Sequence, residues 1–209
     1  MRRRMMYVKP SGGGLPGEYI QLNYLQNDHA GAYIDTGIKP NQNTEIEVQY
    51  KKINGGWAVD AYGMVYGSRV AADSNGHYYY SETYSSSTGF AGFSDIQIKP
   101  AGGTKYATVY TVRNGKNGCY VNGALTNSYD GYSDFQSNLN MYLFGLNGNG
   151  SVDSRKLNGL IYYFKVWEDG SLIQDLIPVQ RISDGVYGMY DFVSGAFFTN
   201  AGTGNFTGG

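Results

Sequence analysis

The chain has 209 residues, 41% of them hydrophobic and only 16% charged, with a formal net charge of −1. That is enough apolar material to bury a core, and one all-β domain of this length is ordinary. The charge balance offers no basic field for nucleic acid, and no apolar run nears the roughly 20 residues of a membrane helix.

Residues 1–17 read as a flexible tail. Arg2, Arg3 and Arg4 form a basic cluster that reads as solvated, and Pro10-Ser-Gly-Gly-Gly-Leu-Pro-Gly has linker composition. The tail has no apolar stretch after its basic start, so no signal peptide is expected. A single domain is expected over residues 18–209.

Thr44-Glu-Ile-Glu-Val-Gln-Tyr alternates strictly, which predicts a strand with Ile46, Val48 and Tyr50 on one face and Glu45, Glu47 and Gln49 on the other. Asp73 to Ser94 reads as a longer polar loop holding Tyr78-Tyr-Tyr and Ser85-Ser-Ser-Thr. Lys105 to Arg113 is rich in β-branched and aromatic residues. It ends at Asn114-Gly115, expected to turn the chain with Gly118 close behind.

Cys119 is the chain's one cysteine, so an internal disulfide and a cysteine-based zinc site are excluded. Its place on a strand beside Val121 reads as a small buried hydrophobe. Asn122-Gly123 is a second turn signal. Met141 to Leu146 is an apolar run closed by Asn147-Gly-Asn-Gly.

Leu160 to Trp167 predicts a strand with Tyr162, Phe164 and Val166 on the core face and Tyr163, Lys165 and Trp167 toward water. Asp169-Gly170 turns into Ser171 to Ile177, and Pro178 suits a strand end or sheet edge. Val186 to Thr199 reads as a hairpin through Ser194-Gly195, with Phe206 as a last core plug. No segment reads as helix. Short strands between Asn-Gly, Asp-Gly and Ser-Gly turns predict an all-β, two-sheet antiparallel jelly-roll sandwich.

Several segments resemble concanavalin A-like, laminin-G-type jelly rolls: Gly118-Cys-Tyr-Val-Asn-Gly, Leu143-Phe-Gly, and Leu157-Asn-Gly-Leu-Ile-Tyr-Tyr-Phe-Lys-Val-Trp. Four others are similar to domains common in phages and prophages of gut bacteria. They are Leu15 to Leu25, Ala32 to Asn41, Arg181 to Val193, and Phe198 to Phe206. The resemblance implies no cofactor and a binding or assembly role in a virion or tail. The partner would be a carbohydrate, a host-surface receptor or other virion subunits, and an oligomer is compatible with it. It also implies synthesis in the bacterial cytoplasm, with release by lysis.

The same broad fold hosts retaining glucanases, which set acids alternately along one strand. Here Glu45 and Glu47 would stand about 6–7 Å apart, against the roughly 5–5.5 Å that retaining chemistry uses. The next position on that face is Gln49, and an amide is no general acid. Glu45 and Glu47 therefore read as a solvated face, and the chain as non-catalytic.

Glycan contacts are sought among exposed aromatics, on which sugars stack their C–H faces. Trp57, Tyr62, Tyr66, Arg69, Tyr78, Tyr79, Tyr80 and Tyr84 are the candidates, with Tyr129 and Tyr132 in a second loop. Asp130 and Asp134 in that loop are candidate calcium ligands, in keeping with the rim calcium of some laminin-G-type domains.

Overall fold

The computed structural model describes residues 14–28, 31–53, 62–70, 78–84, 88–98 and 107–209; for 28, 62, 78–84, 88–90 and 98 the description is of the backbone alone. Among these residues there is no helix, and so none long and apolar enough to cross a membrane.

The chain opens with β1 (Tyr19–Gln21), β2 (Leu25–Asp28) and β3 (Ile34–Asp35). Longer strands follow: β4 (Thr44–Lys52), β5 (Tyr62–Arg69), β6 (Tyr78–Tyr84) and β7 (Thr88–Ser94), then the short β8 (Ile96–Ile98). Next come β9 (Val109–Gly115), β10 (Gly118–Val121), β11 (Ala124–Asn127), β12 (Tyr142–Leu143), β13 (Asn147–Gly148) and β14 (Ser151–Val152). The last are β15 (Asn158–Glu168), β16 (Ser171–Arg181), β17 (Tyr187–Asp191), β18 (Phe197–Thr199) and β19 (Thr207–Gly208).

They form two sheets. The larger runs β11-β10-β9-β4-β15-β16-β17-β18, with β1 added to β16, β2 to β15 and β19 to β2. The smaller runs β14-β13-β5-β6-β7-β8, with β12 joining β3 to β5. The two sheets pack their apolar faces together in one core. This is the expected two-sheet jelly roll, antiparallel except where β13 runs parallel to β5.

Alternation places the core where expected on β4: Ile46, Val48 and Tyr50 are buried. Opposite them Tyr110 and Val112 of β9, and Phe164 and Val166 of β15, line the same face. The Tyr66 ring of β5 meets the Phe164 ring edge-on at 5.8 Å, tying the sheets together. Asn114 Nδ2 donates to the Gly92 carbonyl across the same gap.

Five expectations change. Asp73 to Ser94 is not a loop in its described part: β6 and β7 pair antiparallel from Tyr78↔Ser94 to Tyr84↔Thr88. Asn114 and Gly115 stay inside β9, and the turn is Lys116-Asn117, with Gly118 at φ 120°. On β15 the ladder with β4 slips between Ile161 and Tyr163, a bulge that turns Ile161 into the core in place of Tyr162. Tyr162 instead meets the Tyr24 ring edge-on.

Pro178 lies within β16, where its ladder with β15 has ended at Leu176 and that with β1 begins at Val179. No partner there needs the N–H that proline lacks. Leu15, expected in the tail, packs with Tyr19, Phe192 and Phe197 over Ile177, Val179 and Tyr190. That second apolar cluster covers the outer face of the large sheet at β16 and β17.

Two-residue turns hold as read. Asn122 and Gly123 have φ 51° and 83°, and Asp169 and Gly170 have φ 48° and 78°. Positive φ at both central positions is the hairpin geometry that Asn-Gly and Asp-Gly favour.

Candidate functional site

The tyrosine-rich candidates divide. Tyr66 is fully buried, and burial pushes its phenol well above the usual range. Tyr129 is 3% exposed, and its hydroxyl donates to Asn114 Oδ1 at 2.7 Å. Tyr132 packs edge-on against Phe93 at 5.0 Å, and Phe135 does so at 5.5 Å. The loop after β11 thus folds its rings onto the core edge. Burial removes Tyr66 and Tyr129 from the residues able to touch an external ligand.

Arg69 ends β5, half-buried, and its charge helps hold the Asp153 carboxyl below its ordinary range, after the hydrogen bond from Arg155. Tyr62 stands opposite Tyr84, Arg69 opposite Tyr78, Ser68 opposite Tyr79 and Gly67 opposite Tyr80. The description of Tyr62, Tyr78, Tyr79, Tyr80 and Tyr84 stops at these backbone positions. Trp57 lies outside the described residues.

Asp130 accepts the Ser128 hydroxyl at 3.0 Å. Among the described residues, no group of three or more His, Cys, Asp or Glu side chains gathers around it or Asp134.

The outer face of the large sheet holds a more ordered arrangement. Register sets Tyr120 opposite Arg113, Arg113 opposite Glu47, Glu47 opposite Lys165, and Lys165 opposite Asp175. Five strands thus contribute one cross-strand row whose charge alternates from Arg113 to Asp175. Beside it Glu45 faces Trp167, and on the other side Thr111 faces Gln49 and Gln49 faces Tyr163.

Diagonal bonds knit these rows. Arg113 Nη2 pairs with Glu45 Oε1 at 2.5 Å, and the guanidinium lies 5.6 Å from the Trp167 ring centre. The bond to Glu45 raises the Arg113 pKa further. Tyr163 donates its hydroxyl to Glu47 Oε1 at 2.9 Å. Burial, with the Glu47 charge, pushes that phenol far above its ordinary value. Gln49 Nε2 donates to Thr111 Oγ1, and Lys165 Nζ donates to Asp175 Oδ2 at 3.0 Å.

The face is partly open: the Arg113 side chain is 49% exposed, and Glu45 and Lys165 are each 23% exposed. Trp167 and Tyr120 are also half-exposed. The apolar cluster under Leu15 and Tyr19 closes the next stretch, so the open area lies over β10, β9, β4 and β15. Sequence reading found Glu45, Glu47 and Trp167 on an outward face but not their partners, because neighbours in each row lie on different strands.

No protein-family model matches the chain, and no curated protein matches it in sequence. Solved structures share its fold. A proposed carbohydrate binding protein from Bacteroides ovatus superposes with a TM-score of 0.59 at 12% identity, over 90% of this chain. The chain spans 60% of that protein's length. A SAP-like pentraxin from Limulus polyphemus gives a TM-score of 0.50 at 12% identity, over 91% of this chain and 94% of the pentraxin. The CBM40 of a Ruminococcus gnavus IT-sialidase, bound to α2,3-sialyllactose, gives 0.47 at 14% identity, over 72% and 89%. The first two of these show the fold that the chain shares with them, a two-sheet β-sandwich.

Proposed function

We propose that this chain is a non-catalytic module that binds carbohydrate on the outer face of its large sheet. The observation that carries the reading is Trp167 set within the bonded rows of Glu45, Arg113, Glu47 and Lys165. A sugar presents apolar C–H faces and a rim of hydroxyls. A ring supplies a surface for the first, and charged or amide groups already fixed by one another meet the second with little ordering cost. The likeness to a proposed carbohydrate binding protein from Bacteroides ovatus supports the same reading.

The two glutamates are better suited to binding than to hydrolysis. Glu45 carries a guanidinium and Glu47 a phenol hydroxyl. The next position on their face is the amide Gln49, which cannot serve as a general acid.

The end motifs Leu15 to Leu25 and Phe198 to Phe206 support a finer reading, in which the module sits on a phage or prophage tail or virion and contacts a host surface. Flanking tail or capsid genes would bear this out. The carbohydrate reading is tested on an array of bacterial polysaccharides and oligosaccharides. Binding without release of reducing ends is expected, and a blank array would overturn it.

A further inference from the structure

We infer that the ligand of this face is an uncharged glycan, discriminated from sialylated, sulfated and uronic-acid sugars. The inference rests on the carbohydrate-binding reading above and names the class of sugar.

The cations of the face are committed. Arg113 is held by Glu45, and Lys165 by Asp175, whose side chain is only 5% exposed. Glu47 stands between the two cations in the row and takes the Tyr163 hydroxyl. Around Trp167 and Tyr163, three carboxylates therefore face two cations. A carboxylate or sulfate arriving there meets more carboxylates than cations, and the one guanidinium beside Trp167 already has its charge matched by Glu45.

Among the described residues, the next cations along the surface are displaced. Lys51 is four residues beyond Glu47 on β4, about 13 Å at strand rise. Lys116 reaches from the β9–β10 turn to Asn43. Sugar hydroxyls, by contrast, both donate and accept, so they suit a row in which carboxylate and ammonium groups alternate.

The experiment uses the full chain and matched oligosaccharides from an immobilised array: uncharged chains, and the same chains capped with sialic acid, sulfate or glucuronic acid. Each is titrated by calorimetry against the wild type, Trp167→Ala and Glu45→Gln, after thermal melts establish that the variants are folded. Uncharged chains should bind at least tenfold more tightly than their charged counterparts. Trp167→Ala should weaken that binding tenfold or more, and Glu45→Gln, which removes a negative charge beside Arg113, should narrow the gap severalfold.

Equal or tighter binding of the charged chains, lost in Trp167→Ala, would overturn the inference and leave the carbohydrate reading standing. Binding indifferent to Trp167→Ala would overturn both the site and the inference. Failure of every sugar to bind would overturn the carbohydrate reading itself, and the inference with it.

Discussion

Arg113 stands directly opposite Glu47 on the β4–β9 ladder, yet its guanidinium bonds to Glu45, two residues along the strand. The diagonal choice leaves Glu47 to accept from Tyr163 on β15, so two bonds reach across three strands instead of one across two. The Arg113 side chain is nearly half exposed, so solvent screens the pair. A double-mutant cycle with Arg113→Ala and Glu45→Ala should give a coupling of about 0.2–1 kcal/mol in urea denaturation, falling with added salt. A coupling of several kcal/mol would mean the pair is far less solvated than its exposure indicates.

Trp167 separates binding from folding. Its ring lies on the outward face with Arg113 beside it, and it belongs to neither apolar cluster. Trp167→Ala should weaken the best glycan by tenfold or more, about 1.4 kcal/mol, while the cooperative melt survives. Loss of the folded state would instead assign this tryptophan to packing.

Tyr66 and Tyr129 should behave in the opposite way. Tyr66→Ala empties a fully buried site against Phe164 and should cost about 3–5 kcal/mol of stability. Tyr129→Phe removes the hydroxyl bonded to Asn114 and should cost about 1–3 kcal/mol. Glycan affinity of the folded Tyr129→Phe protein should equal that of the wild type. A clear affinity loss would return that loop to the list of contact sites.

The burial of these tyrosines is not legible in the sequence, and the reason is register. Alternation on β4 and the Asn122-Gly123 and Asp169-Gly170 turns are local signals, and each of those readings holds in the fold. Whether Tyr66 faces in or out depends on pairing with strands far away in sequence, and tyrosine suits both faces. The bulge after Ile161 is likewise a property of the β4–β15 ladder, not of β15 alone. The row from Tyr120 to Asp175 has members on five strands, so no spacing along the chain could announce it. Residues 78–94 read as a loop because serine, threonine and glycine dilute the aromatic alternation, although β6 and β7 pair along their whole length.

The closing hairpin gives a steric prediction. Gly188 of β17 lies so close to β18 that a Cβ there would stand 2.2 Å from the Phe198 carbonyl oxygen and 2.8 Å from the Phe197 ring. Backbone on one side cannot yield as a side-chain tip does. Gly188→Ala should therefore cost about 1–3 kcal/mol as an overpacking change, read as an earlier urea midpoint with an unchanged slope. By contrast, an added Cβ at Gly123, in the β10–β11 turn, would meet no atom within 4 Å, and the cost there should come from its φ of 83° alone.

Cys119 gives a pH-dependent prediction. It is fully buried, and burial raises its thiol pKa from 9.0 to about 11. In the unfolded chain the thiol titrates near its ordinary value, so between about pH 9 and 11 the folded state holds a proton that the unfolded state has lost. The stability this contributes is complete below about pH 9 and fades as the pH rises toward 11, by at most about 2–3 kcal/mol. Cys119→Ala should lower stability at pH 7, yet lose less than the wild type between pH 9 and 11. Tyrosine titration is common to both proteins except at Tyr66, whose phenol is held up partly by the Cys119 charge as well as by burial. At pH 8 a thiol-specific chromogenic reagent should react only when denaturant is added, at the rate of global unfolding. Fast labelling of the native protein would show that the β10 strand opens locally and that the thiol is not sealed in the core.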